Sequence, residues 1–324
     1  MTTGSRSGAP LPAIALALAA GALWGALGLI THALLGYGLS AAQLGLLRLG
    51  GAFALTLLIA VALRRVRALS LRQWAWLAAI GLVCQALGSV SFSAAVAGAG
   101  SSLAIVLLCM GPLFTAAINR VCFGERLDAA AWRLVLLALA GLAVTVLCGH
   151  GERAAAELFG PRWYAGVAWG LLSGLCYGLF PIFARALGAI DTWVLVSFSL
   201  GLGAMFLAPL QGAAPAALPA WTNHAAWLWI AALILIPTVF ADVLYVRAIA
   251  AGGPMLATVF ALVEVPASAL YARAWLGAPI APVQWLGIAL FCAGLAGLAL
   301  RSGKTAAAPA AAADLPAVQS ETSP

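Results

Sequence analysis

The sequence predicts an all-α, polytopic membrane protein whose ten transmembrane helices form two inverted five-helix repeats. Three observations carry this prediction: the composition, a series of long apolar segments, and an internal similarity at one constant offset. Of the 324 residues, 65% are hydrophobic and 8% are charged, whereas soluble domains have roughly a quarter charged residues. So few charges cannot cover a water-exposed surface, which excludes a soluble fold.

The formal net charge of +7 could indicate nucleic-acid binding. The basic residues, however, concentrate near the ends of apolar segments, where they orient a membrane protein. We therefore expect a lipid bilayer and a small-molecule substrate as partners, and no nucleic acid; association into a homodimer stays open. The six cysteines lack metal-type spacing and are interpreted as small buried hydrophobic residues. No cofactor and no metal site is predicted.

Breaks in the apolar pattern divide the chain into segments of transmembrane length, which is about 20 residues for a hydrocarbon core of roughly 30 Å. The ten predicted segments are 12–34, 41–63, 74–94, 100–120, 130–149, 164–187, 193–210, 225–248, 254–275 and 282–301. The first run is too long for a signal peptide and lacks a polar cleavage region. The remaining parts are an N-terminus (1–11), a connecting loop (150–163) between repeats 12–149 and 164–301, and an Ala/Pro-rich tail (302–324) expected to be disordered.

The orientation follows from the arginines and lysines, because basic residues near span ends stay on the cytoplasmic side. With the N-terminus inside, twelve of them lie on the cytoplasmic side: Arg6, Arg64, Arg65, Arg67, Arg72, Arg120, Arg126, Arg133, Arg185, Arg247, Arg301 and Lys304. The opposite side has Arg153, Arg162 and Arg273, and the connecting loop is therefore extracytoplasmic. Both termini are predicted to be cytoplasmic.

The two halves of the chain match at an offset of 153 residues. The match continues through all five predicted helices of each half, as shown by the pairs Trp24 and Tyr177, Phe53 and Phe206, Trp74 and Trp227, Leu103 and Leu256, and Trp132 and Trp285. Pro112 and Pro266 miss this register by one residue. Because each copy has an odd number of spans, the second copy must enter the membrane upside down.

Several motifs resemble the drug/metabolite transporter superfamily, and within it the ten-helix EamA-type transporters. They are Trp24-Gly25, Arg48, the stretch from Ser101 to Gly124-Glu125-Arg126-Leu127, and Gly253–Pro266 with Glu264. The second copy departs from the pattern, because Gly277 is followed by Ala278-Pro279 and not by an acidic residue. The resemblance implies that the first, third, fourth, sixth, eighth and ninth helices surround a central path, with the fifth and tenth peripheral.

The resemblance also implies a function: transport of small metabolites, often export of amino acids or related compounds, across a bacterial inner membrane by alternating access. Import, or export of drugs and cations, are alternatives within the same superfamily. A membrane-embedded enzyme is the alternative of a different class, and the sequence contains neither H-E-x-x-H nor G-x-S-x-G. A sensor or assembly protein is disfavoured because no soluble domain is predicted. We therefore do not expect an enzyme.

Three charges lie far from the predicted interfaces, and a charge at a helix centre costs about 2.5–3.5 kcal/mol on translocon scales. Glu264 is hypothesised to bind a substrate ammonium or a coupling proton; it could instead be a structural carboxyl. Arg48 could bind a substrate carboxylate or pair with Glu264, or its long side chain could extend to the interface. Asp242, which replaces Ser89 of the first copy, could bind substrate or another helix.

Other polar and aromatic residues at matching depths are candidates for lining the path, or alternatively for helix packing. They are Trp24, Gln85, Ser89, Asn119, Tyr177 and Tyr245. Hinges are hypothesised at Pro112, Pro181, Pro237 and Pro266, where static bends are the alternative. Small residues four apart, Ala17-Gly21-Gly25 and Gly170-Gly174-Gly178, predict that the first and sixth helices are close neighbours near the repeat axis.

Overall fold

The computed structural model describes residues 10–124, 128–147, 160–211, 223–277 and 279–313, and all regular elements in these ranges are helices. The all-α fold is thereby confirmed. The first half contains α1 (Pro10–Gly25), α2 (Leu27–Leu35), α3 (Ala41–Ala62), α4 (Leu71–Ala79), a π-helix (Ile80–Leu87), α5 (Gly88–Ala99), α6 (Ser101–Leu108), α7 (Gly111–Phe123) and α8 (Ala129–Leu147). The second half contains α9 (Pro161–Leu187), α10 (Thr192–Leu207), a short 3₁₀-helix (Ala208–Gln211), α11 (His224–Ile234), a second π-helix (Leu235–Phe240), α12 (Ala241–Ala261), α13 (Glu264–Leu276) and α14 (Pro282–Ala313).

The helices have the length and composition of membrane spans. Within the described ranges, eight helical runs are long and apolar enough to cross a membrane, and Thr192–Leu207 is a shorter apolar helix. The run His224–Ala261 counts once, although Gly253 breaks its helical backbone between the predicted eighth and ninth segments. The chain is therefore a multi-pass membrane protein, and the count of ten remains a prediction. Near the C-terminus, α14 continues to Ala313 and so extends into the tail 302–324 that the sequence predicts to be disordered. Residues 314–324 lie outside the described ranges.

The two halves share two departures from regular α-helix. Gly100 and Gly253, which are 153 residues apart, have φ of 89° and 81°. These values are accessible to glycine because it lacks a Cβ. The π-helices Ile80–Leu87 and Leu235–Phe240 also overlap at the same offset. The repeat seen in the sequence is therefore also a repeat of backbone structure that includes these two irregular segments, whereas the break at Ala26 between α1 and α2 has no counterpart in α9.

The packing of α8 on α14 shows that the second repeat is inverted. Gly294 contacts Ala138, whereas Gly287, earlier in α14, contacts Thr145, later in α8. Gln284, near the start of α14, also meets Thr145, near the end of α8: its side-chain amide donates a 3.1 Å hydrogen bond to the carbonyl oxygen of Thr145. The fifth helix of one repeat thus runs antiparallel to the fifth helix of the other, as the odd number of spans predicts.

The small residues of α1 and α9 face helices of the opposite repeat, so these stripes are not a direct contact between the first and sixth helices. Gly21 of α1 lies against the backbone of Ala261 in α12, and Gly174 of α9 lies against the carbonyl oxygen of Leu107 in α6. The first helix of each repeat therefore packs on the third and fourth helices of the other. Close approach of backbones explains why these positions are glycine.

We expect Gly21→Ala to destabilise the protein by about 1–3 kcal/mol, as overpacking does elsewhere. The added Cβ would meet the backbone of Ala261, which cannot rotate away as a side chain can. Gly50→Ala in α3 is the matched control, because nothing lies within 4 Å of a Cβ added there. Thermal unfolding of both variants in detergent micelles measures the difference, and equal unfolding midpoints would contradict this packing.

Candidate functional site

A cavity of about 120 Å³ lies between helices of both repeats. It is bounded by α1, α3, the π-helix Ile80–Leu87, α9 and α12. Its lining residues are Trp24, Arg48, Cys84, Gln85, Cys176, Tyr177, Phe180, Asp242 and Tyr245. None of these residues belongs to α8 or α14, which are the fifth and tenth predicted helices. The family resemblance implies that these two helices are peripheral.

Six of the candidate residues line this cavity: Trp24, Arg48, Gln85, Tyr177, Asp242 and Tyr245. Three others do not line it. The Ser89 hydroxyl donates to the carbonyl oxygen of Gln85 at 2.6 Å, Asn119 is buried in α7, and Glu264 is the first residue of α13. The structure thus gives the position of each candidate residue, and the role of each in transport is a proposal.

Asp242 is held by a hydrogen bond across the two repeats. The indole Nε1 of Trp24 donates to Oδ1 of Asp242 at 3.1 Å. Ser89, at the equivalent position in the first repeat, bonds instead within its own helix. The two repeats therefore present different chemistry to the cavity, with a carboxylate on one side only.

Arg48 brings a positive charge to the same cavity. Its guanidinium makes no hydrogen bond, and no ion pair within 4.0 Å, to any residue in the described part of the chain. Arg48 and Asp242 interact electrostatically at longer range. Arg48 and Asp242 thus line the same cavity, whereas Glu264 is outside its lining. An arginine without a bound partner retains its whole fork of donors for a ligand.

Aromatic rings form much of the remaining wall. The ring centroid of Trp24 lies 4.9 Å from that of Tyr245 and 6.4 Å from that of Tyr177, and Phe180 lies 5.8 Å from Tyr245. Because Thr258 donates its only hydroxyl hydrogen to Pro254, the Tyr245 hydroxyl donates to Thr258, at 3.2 Å. These contacts make a wall of edge-to-face and tilted rings.

Tyr177 offers a polar group that no described residue binds. Its hydroxyl is buried and has no hydrogen-bond partner among the described residues. Burying an unpartnered hydroxyl costs free energy, so a ligand or a water in the cavity would stabilise it. The Tyr177 ring packs on Gly111, where a Cβ would displace it.

Glu264 lies beside the cavity, directly after the helix break at Leu262 and Val263. Its backbone carbonyl faces Gly25 of α1. Its carboxylate has no hydrogen-bond or ion-pair partner among the described residues, and it is close enough to Tyr177 and Tyr245 to interact with them electrostatically. A half-buried carboxyl without a partner is available for a proton or a cationic group.

The cavity contains three residues that the sequence did not single out: Cys84, Cys176 and Phe180. Each could have been found from a neighbour, because Cys84 precedes Gln85, Cys176 precedes Tyr177, and Phe180 follows Tyr177 by three residues on the same helix face. The interpretation of the cysteines as buried also needs correction. Cys122 and Cys292 are exposed on the protein surface, where apolar side chains of a membrane protein contact lipid.

The candidate hinge prolines lie at or inside irregular segments. Pro112 is at the start of α7 and Pro266 in the first turn of α13, just after equivalent helix breaks at Cys109-Met110 and Leu262-Val263. Pro237 belongs to the second π-helix, and Pro181 lies inside α9.

Of the motifs behind the resemblance, residues 125–127 and 278 lie outside the described ranges.

Comparisons with known proteins agree with this architecture. The EamA-like transporter family matches the chain twice, over residues 11–147 and 164–300. An uncharacterized transporter from Archaeoglobus fulgidus is 25% identical over 206 residues, which cover 63% of this chain and 69% of that protein. A solved crystal structure with 20% identity superposes with a TM-score of 0.72, covering 90% of this chain and 98% of that one, and shows the same fold. Because the two family matches together cover most of the sequence, the chain belongs to the EamA-like transporter family and is a membrane transporter.

Proposed function

We propose that this transporter exports small metabolites, amino acids or related compounds, by alternating access around the cavity of Arg48 and Asp242. The observation that carries the proposal is the presence of one guanidinium and one carboxylate, of opposite repeats, in a cavity otherwise lined largely by aromatic rings. A molecule with both an ammonium and a carboxylate is complementary to these two charges. The small apolar side chain of such a molecule would contact the rings.

The arrangement of charges supports this substrate class for a physical reason. An arginine fork binds a carboxylate with two parallel hydrogen bonds, and Asp242 with the ring faces attracts an ammonium. The cavity, at about 120 Å³, is smaller than the roughly 300–1,000 Å³ of drug-sized pockets. Its size favours a small metabolite.

An exporter of organic cations is the second candidate. The cluster of Trp24, Tyr177, Phe180 and Tyr245 favours it, because ring faces bind ammonium groups without needing a carboxylate on the ligand. In this case Arg48 would repel the substrate, whereas an amino acid would pair with it. The two candidates therefore differ in whether the substrate needs an anionic group.

Alternating access would use the inverted repeats and their irregular segments. In this mechanism the two halves exchange conformations, so that the cavity opens to each side in turn. The helix breaks at Gly100 and Gly253, and the four candidate prolines, are where we propose the motion to occur. We further propose a bacterial inner membrane with both termini cytoplasmic, which is supported by the distribution of basic residues.

A transport assay on the full chain tests the substrate class. We expect proteoliposomes to take up at least one labelled zwitterionic amino acid faster than empty liposomes, with much weaker transport of its amide, which lacks the carboxylate. Equal transport of acid and amide, or transport of quaternary ammonium compounds alone, would favour the cation exporter. Cells overproducing the protein would then show, by resistance or sensitivity to a toxic analogue, whether the direction is export or import.

A further inference from the structure

A second cavity, of about 430 Å³, lies away from the central one. It is formed where the loop after α3 meets the connection between α9 and α10. Its lining residues are Arg65, Arg67, Ala68, Leu69, Gln73, Ala189, Ile190, Asp191 and Val194. Because both connections join membrane-spanning segments, this surface pocket lies at one end of the helices, where a bilayer has its polar headgroups.

Among the described residues, the side chains that line this pocket provide more hydrogen-bond donors than acceptors. Asp191 caps α10 through Oδ1, and its Oδ2 forms an ion pair with Arg65 at 3.8 Å, which is too long for a hydrogen bond. Gln73 uses its oxygen to accept from Ser70, so its amide hydrogens stay available. Neither these hydrogens nor the Arg67 guanidinium has a partner among the described residues. Two guanidinium groups and one amide therefore surround a space that has a single carboxylate.

Apolar side chains alternate with the arginines along the same loop. Leu63, Val66 and Leu71 are all exposed, and Leu71 has 86% of its surface accessible. At the end of a span, exposed apolar side chains of this kind would be available to contact acyl chains. A free anion in water would make no use of them, whereas a lipid has both an anionic group and apolar chains.

We infer that this pocket binds the phosphate group of an anionic phospholipid, with Arg65, Arg67 and Gln73 donating to the phosphate oxygens. Arginine is suited to this contact because its planar fork matches phosphate geometry. The acyl chains would lie along Leu63, Val66 and Leu71. The bound lipid would thereby link the loop of the first repeat to the start of α10 in the second. This inference does not depend on the proposed substrate.

Native mass spectrometry of the detergent-purified full chain, titrated with phosphatidylglycerol, tests the inference. We expect wild type to bind phosphatidylglycerol at least tenfold more tightly than phosphatidylcholine. The double variant Arg65→Gln, Arg67→Gln should bind phosphatidylglycerol about thirtyfold more weakly, because each arginine near an anionic lipid surface contributes about fivefold. Arg65→Lys, Arg67→Lys should retain most of the affinity, which separates loss of charge from misfolding.

Arg120→Gln, Arg133→Gln is the matched control, because it removes two exposed arginines that lie outside the pocket. We expect it to bind phosphatidylglycerol as wild type does. An equal loss in this control, or no loss in the pocket variant, would overturn the inference. Glycerol 3-phosphate distinguishes a phospholipid from a soluble phosphate ester as the ligand. We expect no competition with phosphatidylglycerol up to millimolar glycerol 3-phosphate. Competition in or below this range would assign the pocket to a soluble phosphate ester and overturn the proposed lipid site.

Discussion

Asp242→Asn is expected to lower the affinity for a zwitterionic substrate at least about thirtyfold, which is about 2 kcal/mol for losing one partner of a buried charged contact. The variant keeps the shape of the side chain and an oxygen that can accept from Trp24. Only the charge is removed. Arg48→Gln should have a similar effect, because the substrate carboxylate then lacks its guanidinium. Concentration-dependent uptake into proteoliposomes measures both affinities.

Two controls distinguish substrate binding from a structural role of these charges. Trp24→Phe removes the hydrogen bond to Asp242 and keeps the carboxylate, so we expect a smaller loss of affinity than in Asp242→Asn. If Arg48 and Asp242 only balance each other's charge, the double variant should recover stability and transport, since no charge is then left uncompensated. Recovery in the double variant would contradict the proposed binding site.

Glu264→Gln is expected to abolish substrate accumulation driven by a pH gradient. For one proton exchanged per substrate, a gradient of one pH unit supports about tenfold accumulation, because a tenfold ratio corresponds to 1.36 kcal/mol. If Glu264 carries that proton, the glutamine variant should exchange labelled for unlabelled substrate and yet accumulate none. Measuring accumulation and exchange in the same proteoliposomes separates coupling from binding.

The surroundings of Glu264 supply the controls for this experiment. Among the described residues, the titratable groups that interact with it are Tyr177, Tyr245 and Cys109. We expect Tyr245→Phe and Cys109→Ser to retain the response to the pH gradient, and Glu264→Asp to retain part of it. Loss of exchange together with accumulation in Glu264→Gln would indicate instead that the carboxylate binds a substrate ammonium. Unchanged accumulation would reject both roles.

Much of the fold could be predicted because membrane insertion depends on local composition. Long apolar runs indicate spans without knowledge of their neighbours, and the constant offset of 153 residues relates the two copies. The inversion follows from an odd number of spans and is confirmed by the antiparallel contacts of α8 and α14. Hydropathy is less informative where a helix changes its geometry, which is why the boundaries around Gly253 and the π-helices came from the structure.

The candidate site was predicted residue by residue but not as an arrangement. Intramembrane charges are costly, so Arg48, Asp242 and Glu264 could be selected from the sequence alone. The residues that contact these three charges could not be identified in this way, because a helix can be rotated about its axis without changing its hydropathy. The contact of Trp24 with Asp242 joins residues 218 positions apart, and no sequence pattern indicates it.

The class of protein, the inverted repeat and the resemblance to a transporter family could all be obtained from the amino-acid sequence. These properties depend on composition, on the length of apolar runs and on the parity of spans, all of which are read along one chain. Only the packing of the folded chain shows that Arg48 and Asp242 line one cavity, that the glycines of α1 and α9 face the opposite repeat, and that arginines of one loop share a pocket with α10. Such contacts depend on helix rotation, breaks and crossing, which only the packing of all the helices specifies.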